Sequence, residues 1–77
     1  MPNVSVYSTP TCPYCRMVKN YLDENKVTYT NMDVSTDQNA AQEMVQKSGQ
    51  MGVPVVDIDG QIIIGFDKER ISQVLGI

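Results

Sequence analysis

Hydrophobic and polar positions along the chain switch between two periods, and the switches mark its elements. Val4, Val6 and Tyr7 predict a short first strand that ends in the polar stretch Ser8-Thr9-Pro10-Thr11, which is turn chemistry. Tyr14, Met17, Val18, Tyr21 and Leu22 then recur at helical spacing, with Arg16, Lys19, Asn20, Asp23 and Glu24 on the opposite side. This predicts an amphipathic helix of about three turns, with Pro13 in its first turn, where a missing N–H leaves no hydrogen bond unmade. Asn25-Lys26 closes that helix, and the β-branched and aromatic run from Val27 to Val34 predicts a second strand. Ser35-Thr36-Asp37 is a cluster of capping residues before Ala40, Ala41, Met44 and Val45, a second helix that Ser48-Gly49 stops. Val53-Pro54-Val55-Val56-Asp57-Ile58 and Gln61-Ile62-Ile63-Ile64 flank Asp59-Gly60, a strong hairpin signal. Asp67 is placed to cap a last helix whose apolar face is Ile71, Val74 and Leu75. The order is β-α-β-α-β-β-α, without repeats or linkers, which predicts one layered α/β domain over residues 1–77.

Composition narrows the class. The chain has 77 residues, 42% of them hydrophobic, and its longest apolar run is far below the roughly 20 residues that span a bilayer. Met1-Pro2-Asn3 leads straight into the first strand with no export signal, so a cytoplasmic location and no membrane association are expected. A net charge of −3, no histidine and no run of Lys or Arg leave out the electrostatic footprint of a nucleic-acid binder.

The two cysteines, Cys12 and Cys15, stand where the turn meets the first helix. Residues three apart in a first helical turn share a face, at a separation a disulfide can bridge. A static disulfide does not persist in a reducing compartment, and one closing so short a loop adds little stability, so the pair needs a chemical reason. A free thiol with a pKa near 8.5 is mostly protonated at neutral pH, but the N–H groups and dipole of a helix start favour its anion, and such C-x-x-C thiols titrate at roughly 3.5 to 7.5. Cys12 is therefore the expected attacking thiol, with Arg16 and Lys19 adding positive charge nearby. Cys15, one turn deeper beside apolar positions, is the expected resolving thiol, which attacks Cys12 in a mixed disulfide and releases the substrate.

Two rivals are weaker. Cysteines that merely pack in a helix do not explain C-x-x-C beside a βαβ pattern, and a zinc site has only two of its four ligands without histidine or further cysteines. Pro54 opens a central-looking strand that needs ladder donors; a cis Val53–Pro54 bond accounts for it and leaves the Val53 backbone beside the dithiol as an edge for an extended thiol or peptide. An ordinary trans proline at a strand start is the plainer alternative. Tyr14 matches the buried stripe by spacing, yet its place between the thiols favours partial exposure along a substrate groove.

Cys12-Pro13-Tyr14-Cys15 after a strand, Val53-Pro54 further on, and the Gly65-Phe66-Asp67 helix start together resemble a small glutaredoxin of the thioredoxin-like fold, over nearly the whole chain. The resemblance implies a four-stranded mixed sheet flanked by three helices, a cis Pro54, and a monomeric thiol-disulfide oxidoreductase cycling Cys12 and Cys15. It implies a substrate groove lined by Thr11, Pro13, Tyr14, Val53, Pro54, Gly65, Phe66 and Asp67, with disulfide-containing proteins as substrates. No bound cofactor or metal is implied, and glutathione is the expected co-substrate. Two positions depart from the family pattern. Thr9 stands where glutaredoxins usually carry a lysine that meets the glutathione carboxylate, and Phe66 stands where a second glycine lets glutathione approach, so Phe66 is expected to crowd or reshape the γ-glutamyl end. Gly65-Phe66 is similar instead to redoxins that take electrons from thioredoxin reductase and serve ribonucleotide reductase, although these rarely carry Pro-Tyr between the cysteines. An iron–sulfur carrier, built from one cysteine of each of two chains and glutathione, is disfavoured by Pro13-Tyr14 and the second cysteine.

Overall fold

The computed structural model describes residues 3–77. The expectation on how Met1 and Pro2 lead into the first strand lies outside the described residues. Seven elements follow in order: β1 (Val4–Ser8), α1 (Pro13–Glu24), β2 (Thr30–Asp33), α2 (Gln38–Ser48), β3 (Val55–Ile58), β4 (Gln61–Ile64) and α3 (Lys68–Leu75). The strands form one mixed sheet in the order β2-β1-β3-β4, the expected thioredoxin-like architecture. The βαβ crossover makes β1 parallel to β2, with Ser8 opposite Asp33, while β3 runs antiparallel to both β1 and β4. The hairpin turn at Asp59-Gly60 has both residues at positive φ, 50° and 89°, the conformation that matches strand twist and that Asp-Gly tolerates.

Strand alternation divides the core. Val4 and Val6 of β1, Val56 and Ile58 of β3 and Ile63 of β4 face one side, where they bury against Val18 and Leu22 of α1 and Ile71 of α3. Tyr7 and Val55 point the other way and bury against Ala40 and Met44 of α2. On that second side the Tyr7 hydroxyl donates to Glu43 at 3.3 Å and accepts from Lys47 at 2.9 Å, and Lys47 pairs with Asp57 at 2.7 Å. Among the described residues no buried side-chain polar atom lacks a partner.

Three expectations are corrected. The second strand is shorter than the run Val27 to Val34: as the sheet edge beside β1, its ladder spans only Thr30–Asp33, while Val27 and Tyr29 pack on the core from the loop that leaves α1. The third strand begins at Val55, not Val53, because Pro54 has no N–H for a ladder. Met17, placed in the apolar stripe by its spacing, is 44% exposed, since the face of α1 that buries is the narrower one of Cys15, Val18 and Leu22.

Candidate active site

The site begins with a helix cap. Cys12 has extended backbone angles, φ −89° and ψ 116°, and is the N-cap of α1, with Pro13 as the first helical residue. A capping side chain usually offers oxygen to the unpaired N–H groups of the first turn. Here sulfur takes that place, and the Cys12 Sγ accepts the Cys15 N–H at 3.3 Å. The turn behind it is tied down as well, because the Cys12 N–H donates to the Thr9 carbonyl at 3.4 Å and the Cys12 carbonyl accepts from the Arg16 N–H at 3.2 Å. Cys12 is partly open to solvent, whereas Cys15 is 1% exposed, and both are free thiols.

The environments of the two sulfurs divide their chemistry. Partial burial pulls the Cys12 pKa up, but the Cys15 thiol, the Cys15 and Tyr14 backbone N–H groups and the Lys19 charge outweigh it, and Cys12 titrates below an ordinary thiol. Burial pushes Cys15 up to about 11, reinforced by the hydrogen bond it gives to Cys12 and by repulsion from a Cys12 anion. At neutral pH the arrangement holds a thiolate-prone sulfur at the surface and a protonated donor beneath it. No histidine takes part, since the chain has none.

The second wall comes from the loop before β3. The Val53–Pro54 bond is cis, and the Cys12 thiol lies 3.9 Å from the Val53 carbonyl, to which it is directed as donor. Pro54 is buried, and its carbonyl accepts the Gly65 N–H at 2.9 Å, so the loop after β4 is joined to the loop beside the dithiol. Gly65 has φ 78° and nothing within 4 Å of where a Cβ would stand, so the glycine answers a backbone angle and not a lack of room.

The structure therefore brings together Cys12, Cys15, Val53, Pro54 and Gly65. Thr11, Pro13 and Tyr14 border the dithiol on the exposed side; Tyr14 is 61% exposed, as favoured over its place in the stripe. Phe66 is half-buried and anchored: its ring packs on the α1/α3 core and meets Tyr21 edge-on with centroids 6.2 Å apart. The Asp67 carboxylate is engaged as the α3 cap, accepting the Arg70 N–H at 3.1 Å. Sequence reasoning missed the Phe66–Tyr21 contact, which joins residues distant in sequence, and Met51, 82% exposed two residues before Val53. It also missed Asp33 at the end of β2, whose carboxyl pKa is lowered mainly by Ser35 and also by Lys19. Asp33-x-Ser35 is a legible turn signal, but its nearness to Lys19 is not local. Among the described residues no group of three or more His, Cys, Asp or Glu is gathered as a metal site, and no helix is long and apolar enough to cross a membrane.

Comparison with known proteins agrees with this geometry. The glutaredoxin family profile matches residues 4–63. The chain is 42% identical over 72 residues to an uncharacterized glutaredoxin-like 8.6 kDa protein in the rubredoxin operon of Clostridium pasteurianum, covering 94% of this chain and 96% of that one. It is 36% identical over 67 residues to glutaredoxin 3 of Escherichia coli strain K12, covering 87% of this chain and 81% of its relative. Among solved structures, a mutant of a thioredoxin-like protein superposes with a TM-score of 0.93 at 36% identity, covering 100% of this chain and 99% of that one. A matched profile over most of the chain, close relatives of nearly equal length and a shared fold place the chain in the glutaredoxin family, a family of thiol-disulfide oxidoreductases.

Proposed function

We propose that the protein reduces protein or mixed disulfides through a Cys12/Cys15 dithiol cycle, with glutathione as its co-substrate. The observation that carries this reading is the Cys12 sulfur at the α1 cap, held by the Cys15 N–H at 3.3 Å and facing the Val53 carbonyl. The N–H donors of the helix start stabilise an anion at the one of the two thiols that solvent reaches.

In the first step the Cys12 thiolate attacks one sulfur of a substrate disulfide. The substrate S–S bond breaks, a Cys12–substrate disulfide forms, and the other substrate sulfur leaves as a thiolate that takes a proton from solvent. Val53 lies outside the β3 ladder, so its backbone is placed to pair with the extended segment that carries the substrate sulfur. Cys15 then loses its proton and attacks Cys12, which forms the Cys12–Cys15 disulfide and expels the second substrate thiolate. Two of the influences that hold Cys15 protonated, its hydrogen bond to Cys12 and repulsion by the Cys12 anion, disappear once Cys12 is in a neutral disulfide. Two glutathione thiols then reduce the bridge and leave as glutathione disulfide.

A second reading is favoured by Thr9 and Phe66. Thr9 offers no charge to a glutathione carboxylate, and an anchored aromatic ring stands where close approach of glutathione calls for a small residue. Both suit a redoxin reduced by thioredoxin reductase that passes electrons to ribonucleotide reductase or a similar target. The deciding experiment follows NADPH loss with a disulfide substrate, first with glutathione and glutathione reductase and then with thioredoxin reductase. Faster turnover with glutathione supports the proposal, turnover only with thioredoxin reductase replaces it with the second reading, and no turnover with either overturns both.

A further inference from the structure

We propose that the cleft between α2 and the loop before β3, walled by Met51, takes an apolar side chain of a protein substrate, two to four residues from the substrate's reactive cysteine. The inference rests on the reading of Cys12 as the nucleophile of a disulfide reductase and names the class of disulfide that this site favours.

The loop that carries Pro54 folds back on α2. Gly49 stops the helix at φ 75°, and by Met51 the chain has returned to Ala41 and Val45, with which it lines one cleft completed by Gln42 and Gln46. Ala41 and Val45 are four residues apart and share a helix face, beside Ala40 and Met44, which bury against Tyr7 and Val55. The cleft measures about 340 Å³, near the low end of small-ligand sites, and no charged side chain lines it. Its two largest apolar walls are open, with Met51 82% and Val45 37% exposed. Covering such walls with an apolar group is favourable, and the flexible Met51 thioether adapts to groups of different shape.

Val53 joins this cleft to the dithiol. Its side chain packs on the α2 cluster, while its carbonyl lies 3.9 Å from the Cys12 sulfur. Met51 stands two residues earlier, at most about 7 Å along the chain. An extended segment advances about 3.3 Å per residue, so a side chain two to four positions from a cysteine seated at Cys12 arrives at the cleft. Glutathione has one residue on each side of its cysteine and ends short of Met51, so the cleft favours protein segments over it. The lining selects the side chain as well, because a charged group would exchange water for walls that offer no counter-charge.

The test is the rate at which the reduced protein displaces nitrothiobenzoate from short peptides that hold it in a disulfide with their one cysteine. The Cys12 thiolate attacks the peptide sulfur, a Cys12–peptide disulfide forms, and the coloured thiolate leaves, so no reductase is needed. The peptides carry Leu or Gln three residues after the cysteine, or three residues before it. Half-burying a leucine raises the second-order rate about fivefold over Gln in one of the two directions. Met51→Gln and Val45→Gln bring that ratio near one, and Met51→Leu, which keeps an apolar wall, retains it. Ile77→Gln changes another exposed apolar side chain, outside the cleft, and also retains the ratio. Circular dichroism checks that each variant folds. Equal rates for Leu and Gln peptides in both directions would overturn this inference alone, as would a ratio that survives in both Met51→Gln and Val45→Gln. No reaction with any of the peptides would overturn the functional reading and this inference with it.

Discussion

Truncating Cys15 tests the electrostatic logic of the site, because one side chain does two separable jobs. In the proposed cycle its thiol is the resolving nucleophile, and as a donor it favours the Cys12 anion, alongside its own backbone N–H at 3.3 Å. Cys15→Ala removes the thiol donor and leaves the backbone donor in place. A hydrogen bond to a charged group contributes about 1.5–3 kcal/mol, and since Cys12 is partly open, water replaces some of the loss. The lower end of that range, at 1.36 kcal/mol per pH unit, raises the Cys12 pKa by about 1 unit. Cys15→Ser supplies an O–H donor in the same place and recovers most of the shift. The assay is thiolate absorbance against pH, with iodoacetamide rates as an independent measure, and circular dichroism checks that each variant folds. Should Cys15→Ala leave the Cys12 midpoint within about 0.2 units of wild type, the side-chain donor is unimportant and the backbone groups of the first turn act alone.

The remaining expectations concern stability and packing. Because Cys15 keeps its proton up to about 11 in the folded state, well above an ordinary thiol at roughly 8.5–9, the unfolded chain deprotonates first as pH rises. That stability is fully present below pH 9 and is lost between 9 and about 11, on the order of 2 kcal/mol; the reduced wild type should decline in urea melts over that window more than Cys15→Ala does. Ile71, fully buried between α3 and the sheet, should lose about 2–5 kcal/mol on truncation to Ala, and a urea midpoint within error of wild type would refute its place in the core. The Lys47–Asp57 pair is 39% and 14% exposed, so a double-mutant cycle with Lys47→Met and Asp57→Asn should give a coupling of only about 0.5–1 kcal/mol; a value above 2 would mean that the Tyr7 network shields it from water.

What could be read from the chain was what its local pattern specifies. Periodicity placed α1, Asp-Gly placed the hairpin, Asp67 caps the helix it was expected to cap, and Asp37 is the member of the Ser35-Thr36-Asp37 cluster that caps α2. The dithiol was legible for the same reason, since cap position, N–H donors and burial of the deeper sulfur follow from spacing within one helical turn. Reading failed where tertiary context decides. Val27 and Tyr29 have strand propensity but no ladder partner at the sheet edge, and Met17 has core spacing but falls off the narrower face of α1 that buries. Phe66 could be counted as a departure at a glycine position, yet its anchorage on Tyr21 depends on how α3 returns to α1.

In the proposed cycle, the separation of the two thiols would keep the steps of so small a site in order without a histidine. If both sulfurs were equally exposed and equally acidic, either could attack first and nothing would set the order of the two steps. Here the N-cap position gives Cys12 the donors and the solvent access, whereas the core shuts Cys15 off from solvent, and its backbone contact with Thr9 does not offset that burial. The same hydrogen bond lowers one pKa and raises the other, so a single contact both activates the attacking thiol and suppresses its partner. That contact ends when Cys12 enters a mixed disulfide, and with the Cys12 anion gone only burial still holds Cys15 protonated. In the proposed cycle the chemistry of the first step thereby releases the nucleophile of the second, and sequence order along one helical turn becomes order in time.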